Sequence, residues 1–155
     1  MVESFRSPYF AVNELPGLPI LRVVRSRLAF ASLEELSEAW DALNRALDQM
    51  GRERFSVLID MRLATGRNDS AFEAAFDNHR KEVQRDFLRV AVVVSSPAGR
   101  LQVQRHATKD RVTTRAFADV ADAIAWLRNA GSTGTAGSDQ ERDQVVRAVS
   151  SPRQE

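Results

Sequence analysis

The residues that could do chemistry in this chain are few and lie close together. An apolar run, Val57-Leu58-Ile59, ends in Asp60. Nine residues on, Asp69-Ser70 stands where a helical pattern opens, with Glu73 three residues later. Arg62, Arg67 and Arg80 bracket this stretch. An Asp at the end of a buried strand can carry a phosphoryl group, hold a cation or pin a guanidinium. A Ser at a helix start can accept a phosphoryl group, which adds close to two negative charges where free backbone N–H groups and the helix dipole favour them. The same Ser70 and Glu73 are spaced as a capping box, which needs no phosphate. The arginines suit an anion or an acidic partner, and equally a solvated surface. Asp60, Arg62, Arg67, Asp69, Ser70 and Glu73 are therefore the candidate partner-binding residues, with Ser70 the candidate phosphorylation site.

Other chemistries find little support. His79 and His106 lie on different segments, neither has a second histidine at helical spacing, and there is no cysteine. No Ser/His/Asp arrangement, phosphate-binding loop, GxGxxG or HExxH occurs, and Gly66 and Gly99 are isolated. The expectation is a protein that is not an enzyme, with no catalytic residue, metal or cofactor. One further comparison concerns Asp60. Receiver domains of two-component systems carry phosphate on an Asp at such a strand end, and Ser95 or Ser96 could supply their small hydroxyl. Receivers also need an acidic pair after the first strand to hold Mg²⁺. This chain has Asn13-Glu14 and Arg25-Ser26-Arg27 there, so a degenerate receiver is the third reading.

The elements that must position these residues follow from pattern. The 155 residues carry 22 basic and 21 acidic side chains, a net charge of +1, which gives no general pull toward nucleic acid. Only Lys81 and Lys109 among the basic residues are lysine. No apolar run is long enough to span a membrane, no secretory h-region follows Met1, and a cytoplasmic location is expected. Residues 1–130 read as one folded unit. A Gly/Ser/Thr run opens residues 131–155, which are expected to form a flexible, disordered tail.

Within the body, residues 9–15 and 18–24 read as a hairpin about Leu15-Pro16-Gly17-Leu18, a type II turn sequence. Ser32 and Glu35 form a capping box for a helix whose stripe is Leu33, Leu36, Trp40, Leu43, Leu47 and Met50, closed by Gly51. Residues 55–61 read as a central strand. A second helix starts near Ser70 and buries Phe72, Ala75, Phe76, Val83 and Phe87. Residues 88–94 are the clearest strand. Ser96-Pro97 looks like a helix start, although Leu101 and Val103 alternate as in a strand. Residues 112–117 suggest a last strand, and a helix follows from Asp119. The order β-β-α-β-α-β-(α)-β-α implies an α/β fold with a mixed sheet, parallel except for the hairpin at its edge.

That order, with particular residues, resembles the STAS domain superfamily of anti-sigma-factor antagonists, and within it the SpoIIAA-like proteins. Val57-Leu58-Ile59-Asp60, Asp69-Ser70, and the stretch 112–127 with Phe117-Ala118-Asp119, Asp122-Ala123 and Trp126-Leu127 carry the likeness, which covers residues 8–128. Asp69-Ser70 lies one residue further from the strand than in the antagonists, and Ala71-Phe72 follows where they carry Gly. The resemblance implies a non-enzymatic regulatory module of bacterial signalling. It would act by protein contact with an anti-sigma kinase or another signalling protein, switched by phosphate at Ser70. The SpoIIAA-like branch also resembles Sec14-type lipid-binding domains, which implies a small-molecule or lipid carrier as the alternative, with Phe72, Phe76 and Phe87 as pocket lining.

Overall fold

The computed structural model describes residues 2–64, 70–110 and 113–132. Six strands and four helices follow one another: β1 (Val2–Arg6), β2 (Phe10–Glu14), β3 (Ile20–Arg25), α1 (Leu33–Met50), a short 3-10 helix (Arg52–Arg54), β4 (Ser56–Asp60), α2 (Ser70–Gln84), β5 (Val90–Val93), α3 (Pro97–Asp110), β6 (Thr114–Phe117) and α4 (Val120–Ser132). The strands lie in one sheet in chain order. β1, β2 and β3 pair antiparallel, and β3 to β6 pair parallel. The expected mixed α/β architecture is thus present.

Two expectations need correction, and one open point is settled. A strand, β1, precedes the hairpin, so the hairpin is not the sheet's edge on that side. Its pattern escapes a period-of-two reading because the register shifts between Glu3 and Phe5. Such a bulge moves the apolar side chain out of phase with its neighbours. The ambiguous stretch after Pro97 is a helix, because Ser96 Oγ accepts from the Gly99 N–H at 3.0 Å and caps it. The last strand is shorter than residues 112–117, starting at Thr114. Residues 133–155, the body of the expected tail, lie outside the described residues, and α4 continues to Ser132.

Local chemistry accounts for the remaining elements. Gly17 has φ +71° in the hairpin turn, where Leu18 N–H donates to the Leu15 carbonyl at 3.3 Å. Ser32 Oγ accepts from Glu35 N–H at 3.1 Å at the start of α1, and Gly51 ends the helix at φ +88°. Asp119 Oδ1 accepts from the backbone of Ala121 and Asp122 at 2.7 and 3.2 Å and so caps α4.

Every residue of β4 and β5 is buried, since helices cover the sheet on both sides. Val57, Ile59, Val90 and Val92 face the larger core, which includes Leu36, Trp40, Leu43 and Leu47 from α1 and Val83 from α2. Leu58, Ala91 and Val93 face the smaller one with Ala123 and Leu127 of α4. Each such large side chain contributes roughly 1.5–3 kcal/mol of burial. With this centre fixed, the carboxyl ends of β3 to β6 all open onto one end of the sheet, the place where open α/β sheets bind their ligands.

Candidate functional site

Asp60 closes β4 and is almost wholly buried, its side chain 4% exposed. Register explains its partners. Asp60 pairs with Val24 of β3, so Arg22, two residues earlier, is its diagonal neighbour on the same face. Arg22 donates to Asp60 Oδ2 at 3.0 Å. The chain then turns back, and Arg62 donates through its side chain to both carboxylate oxygens, at 2.9 and 2.8 Å, and through its backbone N–H to Oδ1 at 3.1 Å. Burial alone would raise the carboxyl pKa; the hydrogen bonds from Arg62 and Arg22 outweigh it and hold Asp60 below its ordinary value. Asp60 is therefore a carboxylate, spent on fixing the loop that follows. Arg62 stays 41% exposed and in place, and the Asp60 bond, with help from the charge of Asp119, raises its own pKa.

The same end of the sheet carries apolar side chains in water. The exposed large hydrophobic residues among those described are Leu28, Leu33, Leu63, Leu88 and Leu101. Leu28 follows β3, Leu33 opens α1, Leu63 follows β4 and Leu101 lies near the start of α3, all at the carboxyl end. Leu88 alone precedes β5 at the opposite end. Arg62 and these four leucines share that end of the sheet, and arginine is among the residues enriched at protein-contact surfaces.

The sequence-predicted residues divide into three groups. Asp60 and Arg62 meet as described. Arg67 and Asp69 lie outside the described residues. Ser70 is the first residue of α2, which puts its backbone at the helix start, while its side chain and that of Glu73 also lie outside. Arg80 is not part of this cluster. It is buried further along α2 and donates to Asp77 Oδ1 at 2.8 Å. The receiver comparison loses its basis, because Asp60 faces two guanidinium groups. Among the described residues no cluster of three or more acidic or imidazole side chains could hold a metal.

A cavity of about 190 Å³ lies between α2, α3 and the larger-core face of the sheet. Ile59, Val92, Val94, Phe76 and Trp40 form its apolar wall, and Arg80, Gln84, Gln102 and His106 bring polar groups to it. It has room for roughly six waters at ~30 Å³ each, less than the ~300 Å³ at which ordinary ligand pockets begin. Of the three phenylalanines expected to line a carrier pocket only Phe76 does so. Phe72 packs on the core, and Phe87 lies under the Arg52 guanidinium at 5.4 Å.

Sequence reasoning missed Arg22, which stands in an unremarkable hairpin strand. The alternation of β3 could have found it, since it puts Arg22 on one face with Leu58 and Asp60 of the neighbouring strand. It also missed that Arg25 and Arg52 are buried. The position of Arg52 between a helix-ending glycine and a buried strand was the available clue.

Comparison with known proteins agrees with this architecture. The family model described as SpoIIAA-like matches residues 30–128, more than half of the chain. A crystal structure of an uncharacterized protein of the DUF3478 family from Shewanella loihica, with a SpoIIAA-like fold, superposes with a TM-score of 0.54. The two are 18% identical over 76% of this chain and 91% of that one. No curated protein matches. Among the described residues no helix is long and apolar enough to cross a membrane.

Proposed function

Since the chain belongs to the SpoIIAA-like family, we propose that it is a non-enzymatic regulatory module that acts by binding a signalling protein, such as an anti-sigma kinase, at the carboxyl end of its sheet. The observation that supports this most is the fixed Arg62 guanidinium, held by buried Asp60 at the end that also exposes Leu28, Leu33, Leu63 and Leu101. A cation ordered before binding loses little conformational entropy on contact. Acidic and apolar side chains of a partner would pair with it. In this reading Arg67, Asp69 and Glu73 extend the surface, and Ser70 is its switch. A phosphoryl group there would be accommodated by the start of α2 and would repel an acidic partner. The test is cross-linked capture from the native cell, with mass spectrometry of the captured protein and of Ser70. A partner cross-linked at residues 60–63, and released when Ser70 is phosphorylated, supports the module and its switch. A partner cross-linked elsewhere overturns the site, and a Ser70 never modified overturns the switch.

The cavity supports a second reading, a small-ligand carrier. The buried indole N–H of Trp40, which lines it, has no hydrogen-bond partner, and such a group favours an acceptor. The cavity volume suits a small molecule rather than a lipid chain. Native mass spectrometry of gently purified protein tests this: a retained ligand supports it and a bare chain rejects it.

A further inference from the structure

The diagonal that joins Arg22 to Asp60 recurs two strands away with a different outcome. Ala91 of β5 pairs with Arg115 of β6, so Arg89, two residues before Ala91, is the diagonal neighbour of Arg115 on the same face. Here both members are cations. Their guanidinium carbons lie 4.7 and 5.9 Å from the ring centre of Trp126 on α4, and Arg115 also lies 5.8 Å from that of Phe117. Arg89 is half-buried and donates to the Trp126 carbonyl at 2.9 Å, while Arg115 is exposed. Among the described residues neither guanidinium is paired with a carboxylate. Burial chiefly, and then the charge of Arg115, lower the pKa of Arg89.

Cation–π contact fixes two forks of N–H donors on one aromatic plate and leaves most of those donors unused. An oxyanion between them would do for this pair what Asp60 does for Arg22 and Arg62. Two positive charges are neutralised by a dianion, and phosphate also matches the guanidinium fork.

We propose that Arg89 and Arg115, held on Trp126 at the β5–β6 edge of the sheet, form a binding site for a phosphate monoester. The site lies on the α4 face, across the sheet from the α2–α3 cavity, and is independent of the partner surface.

The experiment is a titration of the full chain with inorganic phosphate at constant ionic strength, read on the Trp126 indole N–H resonance. The buried Trp40 indole serves as the internal reference. The result expected is a saturable shift of Trp126 with Trp40 unmoved, weakened at least tenfold in Arg115→Gln. Because Arg115 is exposed, that variant keeps the wild-type melting temperature. Acetate at the same ionic strength binds at least tenfold more weakly than phosphate. A phosphoserine peptide and a sugar phosphate then show whether a protein or a small molecule brings the phosphate. No saturable shift, equal affinity in Arg115→Gln, or acetate binding as well as phosphate would overturn the proposal.

Discussion

Arg62 wraps back onto Asp60 so completely that both carboxylate oxygens and the backbone N–H of Arg62 are engaged, at 2.8 to 3.1 Å. The buried acid therefore organises the turn after β4, while the cation remains available to a partner.

Asp60→Asn keeps the shape and removes the charge. The loss of charge-assisted bonds to Arg62 and Arg22 is expected to cost about 1–3 kcal/mol, or roughly 2–12 °C in melting temperature at about 2–4 °C per kcal/mol for a chain of this size. The pH dependence has a definite sign. Because the folded-state pKa of Asp60 lies below the ordinary value, its stabilisation is complete above the unfolded pKa of about 3.9 and is lost as pH falls through the lower folded value. Wild type and variant should therefore converge in thermal melts as pH falls below about 4. A gap that stays constant there would reject this role for Asp60.

Arg52 anchors the end of α2. It is buried at 2% exposure, donates to the carbonyls of Glu82, Val83 and Arg85 at 3.1 to 3.3 Å, and reaches Asp48 and Asn44 with its other nitrogens. Arg52→Met leaves those helix-end carbonyls without donors and should cost about 3–5 kcal/mol. Arg52→Lys keeps the charge but not the fork, and should recover less than half of that in urea denaturation.

Asp86 follows α2 with φ +69°, the only residue other than glycine in the left-handed region among those described. Asp86→Gly should raise stability by about 0.5–1 kcal/mol, since the strain relieved exceeds the loss of an exposed ion pair with Arg85. Equilibrium unfolding gives the sign directly.

Ala107 of α3 is buried and lines the α2–α3 cavity. Ala107→Leu should fill part of it and add about 0.5–1 kcal/mol. It should also expel any retained ligand, as native mass spectrometry would show.

How far the fold could be read from sequence depended on how local each cause was. The Ser32 cap, the Gly17 turn and the two-faced burial of β4 are encoded within a few residues, and the corresponding elements were legible; the Ser96 cap was readable too, but the alternation of Leu101 and Val103 left its helix open. β1 was not, because a bulge breaks its alternation. The candidate site was half legible. Asp60 with Arg62 is a contact two residues apart, while Arg22 reaches Asp60 only through strand register. The buried state of Arg52 depends on helix ends that come together in the fold. Nothing in composition separates such an arginine from a solvated one.

A partner docked at the carboxyl end of the sheet would touch Leu63 and leave Leu88 free. The affinity of the captured partner for wild type, Leu63→Asp and Leu88→Asp, by isothermal titration, reads this contact. Both leucines are exposed, 40% and 48%, and they lie at opposite ends of the sheet. Neither change should alter stability by more than about 0.5 kcal/mol. Leu63→Asp should weaken binding at least tenfold, about 1.4 kcal/mol, while Leu88→Asp stays within twofold of wild type. Unchanged binding by Leu63→Asp, with loss in Leu88→Asp, would contradict it.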